Sequence, residues 1–134
     1  MPSIIYRLGD AALWVGSATA RVPDVDFVLN VKGTAVDGER HVPLRDSGRE
    51  RSDRIAAAVK ELDRLMRRSR KGVYLHCARG RSRSVTVAAA WLAWTNRYSL
   101  ERALSVVKRK HAQAKPNLAL VRVAEEALRE LRST

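Results

Sequence analysis

Short apolar runs, separated by polar and turn-forming residues, dominate the first third of the chain. They occupy residues 4–6, 12–15, 27–31 and 42–44. Short runs of this kind, bounded by Gly, Asp and Ser, are typical of β-strands. The fourth run contains Pro43, whose missing N–H restricts it to an edge strand or a strand end. We therefore predict four strands in this part of the chain.

The spacing of the apolar residues then changes to steps of three and four. Residues 55–66 follow this period and predict an amphipathic helix over about 50–69. Ser47, with Glu50 three residues later, has the form of a capping box before that helix.

The second half of the chain begins with a short buried strand and continues as helices. Residues 73–75 form an apolar run after Gly72, and residues 85–95 are apolar on nearly all sides, which predicts a buried central helix. Ser99 can cap a third helix, and Pro116 suits the first turn of a last one. The order of elements predicts an α/β domain with a mostly parallel central sheet of about four to five strands flanked by helices.

Length and cysteine content narrow the possibilities. The 134 residues contain no linker or repeat, which predicts a single domain over residues 1–134. One cysteine excludes an internal disulfide and a multi-cysteine zinc site, and we expect no metal or other cofactor. No apolar run reaches the roughly 18 residues of a membrane span, and no signal peptide is visible. We expect a cytoplasmic protein that is not transmembrane.

The chain is strongly basic, and the charge is unevenly distributed. There are 26 basic and 14 acidic residues, a net charge of +12, and residues 40–83 alone carry a net +9. A positive field of this kind favours anionic partners and speeds their association. The positive field does not identify the anion. An arginine-rich composition accounts for part of the positive charge.

The predicted buried strand and the central helix are joined by a loop around the single cysteine. Its sequence is His76-Cys77-Ala78-Arg79-Gly80-Arg81-Ser82-Arg83-Ser84. Ligand crevices of open α/β sheets lie at the carboxyl ends of the strands. A helix N-terminus there offers free N–H groups that bind phosphate and lower the pKa of a thiol. Gly80 permits a tight turn, and the planar fork of Arg83 can hold two phosphate oxygens.

Residues 76–84 resemble the phosphate-binding signature of the protein tyrosine phosphatase superfamily, in the form that dual-specificity phosphatases use. Further segments of the chain are also similar to that family: residues 13–17, 42–46 and 99–103 and the pair Pro116-Asn117. The resemblance covers about residues 10–130. The chain departs from the family at two positions, where it has His111 and Ala112 in place of an Arg-Pro pair.

The resemblance implies a cysteine-dependent phosphatase. Cys77 is then the nucleophile that forms a phosphocysteine intermediate, and Arg83 stabilises the transferring phosphate. The substrate phosphate, or a free phosphate or sulfate, would be bound by Ala78, Arg79, Gly80, Arg81, Ser82 and Arg83. We expect His76 and Asn117 to support the loop, and the Ser84 hydroxyl to hydrogen-bond the sulfur.

Such a reaction needs a general acid, and Asp46 is the first candidate. It follows an apolar run, precedes Ser47-Gly48 and lies 31 residues before Cys77. Glu50 and Asp53 are alternatives, but both fall at or within the predicted helix.

The sequence leaves the substrate open. Phosphotyrosine and phosphoserine/threonine in proteins rank first. Arg79 and Arg81 inside the loop favour, as an alternative, an acidic lipid head group, as in phosphoinositide or phosphatidylglycerophosphate phosphatases. An RNA 5′-triphosphatase and a catalytically silent phosphate-binding module are remote alternatives, and we expect no stable nucleic acid complex.

Overall fold

The computed structural model describes residues 1–133 and contains one five-stranded sheet in that range. The strands are β1 Ser3–Leu8, β2 Ala11–Ser17, β3 Phe27–Asn30, β4 Arg40–His41 and β5 Gly72–Cys77. Their order across the sheet is β1-β2-β5-β3-β4. β1 pairs with β2 in the antiparallel direction, whereas the other three pairings are parallel. The predicted α/β fold with a mostly parallel sheet is confirmed.

Residues 1–133 contain the four helices α1 Ser52–Arg68, α2 Arg83–Asn96, α3 Leu100–Lys110 and α4 Leu118–Arg132. The other three helices pack around α2. This helix contacts each of the other three, and its residues 84–93 are all buried. The predicted central helix is therefore confirmed. α1 and α2 also pack against β5, which explains why that strand is apolar.

The fourth strand differs from the prediction. Only Arg40–His41 pairs as a strand, and the apolar run at residues 42–44 continues from it as extended chain. The N–H groups of Val42 and Leu44 still bond to carbonyl groups of residues 30 and 31. Pro43 lies between them without an N–H, so a regular ladder cannot continue there.

Two predicted helix starts also differ. α1 begins at Ser52, and the Ser47–Glu50 pair holds the preceding turn instead of capping the helix. α4 begins after Asn117, whose side chain accepts the N–H of residue 119, so Pro116 lies just outside the helix. The predicted Ser99 cap of α3 is confirmed, since its side chain accepts the N–H of residue 102.

The position of β5 decides where the candidate site lies. All six residues of β5 are buried, and parallel strands flank it on both sides. Ser17, at the end of β2, pairs with Cys77, and Asn30, at the end of β3, pairs with His76. Because three parallel strands end together here, the loop that follows Cys77 lies at the carboxyl edge of the sheet, as open α/β sheets place their ligands.

Candidate active site

The thiol of Cys77 lies inside the turn formed by residues 77–84. Its sulfur is 3.2 Å from the hydroxyl oxygen of Ser84. Burial alone would raise the pKa of the Cys77 thiol, but hydrogen bonds from the Ser84 hydroxyl and from the N–H groups of Ser84, Gly80 and Ser82 lower it below the usual value. The loop therefore stabilises a thiolate, which is the nucleophilic form of cysteine.

The loop can form this turn because of Gly80. Its φ of +69° lies in the left-handed region, and a Cβ atom there would be 2.6 Å from the carbonyl carbon of Gly16. Any side chain would therefore be strained and would collide with the backbone of β2. Both the left-handed φ and the lack of room for a Cβ atom therefore require glycine at residue 80.

The Arg83 guanidinium is held at the mouth of the loop. Its Nη1 atom donates to the carbonyl oxygen of Leu44 at 3.2 Å. Leu44 belongs to the extended segment that follows β4. The guanidinium is thus fixed by a contact outside the loop, and its other N–H groups remain available to an anion.

Asp46 contacts both the loop and the start of α4. The Ser82 hydroxyl donates to Oδ1 of Asp46 at 2.6 Å, and Nδ2 of Asn117 donates to the Asp46 carbonyl at 2.9 Å. The backbone N–H of Asn117 in turn donates to the Ser82 hydroxyl at 2.9 Å. This arrangement places a carboxyl group, the phosphate loop and the start of α4 together.

The other two candidate acids point elsewhere. The carboxylate of Glu50 accepts the backbone N–H groups of Arg45 and Arg51, and thereby holds the turn before α1. Asp53 is paired with the exposed side chain of Arg51. Neither carboxylate lines the cavity that contains the thiol.

A cavity of about 440 Å³ unites most of the predicted residues. Three predicted residues, His76, Gly80 and Ser84, are buried and do not line it. Lys115 and Pro116, from the segment before α4, were not expected in the site. The lining residues are Asp46, Cys77, Ala78, Arg79, Arg81, Ser82, Arg83, Lys115, Pro116 and Asn117.

His76 is fixed by a residue that the sequence did not indicate. Its Nε2 lies 2.8 Å from a carboxylate oxygen of Glu39, and its ring stacks against Tyr74 at a centroid distance of 5.7 Å. Glu39 lies in the connection between β3 and β4. Nothing local in the sequence links it to His76, 37 residues away, so only the fold shows the contact.

His111, noted in the sequence only as a departure from the family, contacts the loop directly. Its Nε2 lies 2.7 Å from the carbonyl oxygen of Gly80, and its Nδ1 lies 2.8 Å from the Ser3 hydroxyl. The side chain is only 1% exposed. The available signal was its position between α3 and the Pro116-Asn117 pair, close to a segment expected to support the loop.

Residues 1–133 lack two further features. No cluster of three or more His, Cys, Asp or Glu side chains in this range is arranged to hold a metal ion. No helix in the same range combines the length and apolar character that a membrane span requires.

Comparison with known proteins gives a consistent result. The family model described as "Dual specificity phosphatase, catalytic domain" matches residues 14–128. The "Putative tyrosine phosphatase 123R" of Invertebrate iridescent virus 6 is 39% identical over 62 residues, which cover 46% of this chain and 44% of the viral protein. The match thus spans less than half the length of that relative.

Solved structures share the fold over nearly the whole chain. The Yvh1 phosphatase domain from Chaetomium thermophilum has a TM-score of 0.79 at 24% identity and covers 94% of each chain. The "mouse putative dual specificity phosphatase complexed with zinc tungstate" has a TM-score of 0.80 at 23% identity, over 98% of this chain and 89% of the mouse chain. At 24% and 23% identity these structures show the shared fold. The family match over residues 14–128 shows that the chain belongs to the dual specificity phosphatase catalytic-domain family.

Proposed function

We propose that this phosphatase removes phosphate from phosphotyrosine and phosphoserine/threonine residues in proteins, with Cys77 as nucleophile. The observation that carries the proposal is the Cys77 sulfur, held by the Ser84 hydroxyl and three backbone N–H groups at one cavity with Arg83 and Asp46. A buried thiol with a lowered pKa, next to a guanidinium and a carboxyl group, has the parts needed for covalent phosphate transfer.

In the first step, the Cys77 thiolate attacks phosphorus and forms a sulfur–phosphorus bond while the bond to the leaving oxygen breaks. The N–H groups of the loop and the Arg83 guanidinium offset the repulsion between two anions and stabilise the transition state. The leaving oxygen takes the proton of Asp46 and departs as an alcohol or phenol.

In the second step, the Asp46 carboxylate removes a proton from water as the water attacks phosphorus. The sulfur–phosphorus bond breaks, inorganic phosphate forms, and Asp46 regains its proton. The Ser84 hydroxyl stabilises the departing Cys77 thiolate by hydrogen bonding, because it lies 3.2 Å from the sulfur.

The surroundings of the cavity support a macromolecular substrate. Half of the residues that line the cavity are exposed to solvent: Asp46, Ala78, Arg79, Arg81 and Lys115. A phosphorylated side chain on a protein surface can therefore approach from solvent. The family's dual specificity supports both tyrosine and serine/threonine phosphate as targets.

A phosphoinositide or phosphatidylglycerophosphate substrate is the second candidate. The observation in its favour is that Arg79, Arg81 and Lys115 line the cavity and pair with no carboxylate in the described part of the chain. Three free cations at one cavity suit a head group that carries more than one anionic group.

A substrate panel tests the proposal. We expect phosphotyrosine and phosphothreonine peptides to be hydrolysed with higher kcat/KM than a soluble short-chain phosphoinositide, and Cys77→Ser to abolish turnover of all three because serine is a much weaker nucleophile. Acid quenching during turnover followed by mass spectrometry should find one phosphate on Cys77, which is the only cysteine.

Each outcome has a clear meaning. Activity of Cys77→Ser near that of the wild type would contradict the nucleophile. A kcat/KM for the phosphoinositide above that of both peptides would replace the protein substrate with the lipid head group. A Gln113→Ala variant, changed at an exposed position outside the cavity, serves as the control.

A further inference from the structure

The phosphate loop is anchored from outside through its carbonyl groups. The N–H of Ala18 donates to the carbonyl of Ala78 at 3.2 Å, and the N–H of Lys115 donates to the carbonyl of Arg81 at 2.8 Å. In a trans peptide the C=O and N–H point in opposite directions, and the described chain has no cis peptide. A carbonyl held outside therefore turns the N–H of the following residue towards the inside of the loop.

One of these peptides shows the consequence directly. The carbonyl of Arg81 points out to Lys115, and the N–H on the other side of the same peptide belongs to Ser82. That N–H is one of the groups that hydrogen-bond the Cys77 sulfur. Because the C=O and N–H belong to one rigid peptide plane, the hydrogen bond that fixes the carbonyl also fixes the direction of the N–H towards the sulfur.

A third carbonyl, that of Gly80, is held by the His111 side chain. A carbonyl oxygen only accepts, so Nε2 of His111 carries the hydrogen, and the Ser3 hydroxyl donates to Nδ1 when the ring is neutral. Burial lowers the pKa of His111, which favours this neutral ring. Ser3 belongs to β1, so the contact connects the edge of the sheet to the loop.

The other end of the Gly80 peptide is the N–H of Arg81. Because the Gly80 carbonyl points towards His111, this N–H points away from it. No acceptor for the Arg81 N–H is present within residues 1–133, and Arg81 lines the cavity. An N–H group without a protein acceptor, directed into the phosphate cavity, is suited to bind a substrate oxygen.

We propose that His111 is a positioning residue of the phosphatase: it holds the Gly80 carbonyl so that the Arg81 N–H faces a phosphate oxygen, and Ser3 fixes the tautomer that does so. The proposal rests on the proposed function, because it assigns His111 a role at the same loop. It also explains how this chain accommodates histidine where the family often has arginine, since either side chain presents N–H donors.

Of the three anchors, only that of His111 comes from a side chain, so it can be removed without altering the backbone. His111→Leu keeps an apolar side chain at the buried position and deletes the donor, whereas His111→Gln supplies an amide N–H. Ser3→Ala removes the partner of Nδ1 alone. Gln113→Ala, in the same connection but exposed, is the matched control.

The readouts are the rate of Cys77 alkylation by iodoacetamide as a function of pH, protection of Cys77 by inorganic phosphate, and kcat/KM with a phosphotyrosine peptide. Because Cys77 is the only thiol, alkylation reports this residue alone. Thermal unfolding shows whether each variant is folded.

We expect His111→Leu to weaken phosphate protection and to lower kcat/KM by about tenfold or more, since removing one preorganised donor costs up to roughly 100- to 1,000-fold. The thiol pKa should change little, because the sulfur's own donors are the Ser84 hydroxyl and the N–H groups of Gly80, Ser82 and Ser84. His111→Gln should restore most of the loss, and Ser3→Ala should lose a few-fold.

Two results would overturn the proposal. Unchanged phosphate protection and kcat/KM in folded His111→Leu would show that the Arg81 N–H needs no anchor. An equal loss in His111→Leu and His111→Gln, with a raised thiol pKa in both, would show that His111 only maintains the loop in general. Failure of the proposed function looks different, since the wild type itself would then lack phosphate protection or turnover.

Discussion

The contact between Ser84 and the Cys77 sulfur gives a pH prediction. Ser84→Ala deletes the hydroxyl 3.2 Å from the sulfur, one of the groups that lower the thiol pKa against the effect of burial. The thiol pKa should therefore rise, and because the thiolate is the reactive form, the acid limb of the kcat/KM–pH profile should move to higher pH. Breakdown of the phosphocysteine should also slow, because the departing thiolate loses a donor.

Thr86 on the same helix provides the control for this variant. Its buried hydroxyl has no hydrogen-bond partner in the described part of the chain, so Thr86→Val removes a hydroxyl without removing a bond to sulfur. We expect its pH profile to match that of the wild type. A profile of Ser84→Ala that stays in place would contradict the role of Ser84.

Asp46 gives a prediction about the leaving group. If it protonates the leaving oxygen, Asp46→Asn should lower kcat about 100- to 10,000-fold with an alkyl phosphate, and less as the leaving group becomes more acidic. Kinetics with a series of aryl and alkyl phosphates measure this. Asp53→Asn is the control, since Asp53 lies outside the cavity, and an equal loss across all leaving groups would make Asp46 a positioning residue.

At this scale, the sequence predicted the contiguous loop, and its resemblance to a family also pointed to Asp46 and Asn117. It missed other residues that reach the loop only in the fold. The loop from His76 to Ser84 is one local segment between a strand and a helix, so its chemistry is legible in the order of its residues. Glu39 and Lys115 reach the same place from other segments. No local pattern encodes those distances, so they required the tertiary structure.

At the scale of elements, β5 is the strand on which the site depends, and its first residue is the most constrained. Gly72 has a φ of +126°, and a Cβ atom there would lie 1.9 Å from the carbonyl oxygen of Ala12 in β2. A side chain would therefore force β5 away from β2, to which it is paired from residue 72 to residue 77. The geometry of the distant loop depends on that pairing.

We accordingly expect Gly72→Ala to cost on the order of 3 kcal/mol in the free energy of unfolding, from backbone strain and steric overlap. Gly33→Ala should cost far less, because no atom lies within 4 Å of the added Cβ and φ is not in the left-handed region. Urea unfolding of both variants tests the contrast. Equal stability of the two would contradict the assigned constraint at the start of β5.

The element boundaries show why some predictions were wrong. Hydrophobic period gave the existence and type of the main helices, because burial of one face requires that period. The starts of α1 and α4 depended instead on which polar group caps which N–H. Ser47 and Glu50 had a suitable spacing for a cap, yet their bonds hold the turn before the helix.

At the scale of the whole molecule, the residues that make up the net charge of +12 lie at different distances from the cavity and so attract an anionic substrate to different extents. Arg79 and Arg81 line the cavity, whereas Arg64 and Arg67 lie on α1 and are paired with Glu61 and Asp63. A domain of this length has a radius of gyration of about 14 Å. The Debye length falls from about 30 Å at 0.01 M salt to about 8 Å at 0.15 M. At the higher salt concentration, charges far from the cavity are therefore screened from the substrate, whereas charges at the cavity still act on it.

We expect a salt-dependent difference between two double variants that have the same change in net charge. At low salt, both Arg79→Gln/Arg81→Gln and Arg64→Gln/Arg67→Gln should lower kcat/KM for an acidic phosphopeptide, because the field of the whole molecule steers the encounter. At about 0.15 M salt, where the field of distant charges is screened, only the cavity pair should still lower it. Steady-state kinetics across ionic strength, with an uncharged-flank phosphopeptide as reference, measure both. Equal effects of the two variants at the higher salt would show that the charge acts as a total and not through its position at the cavity.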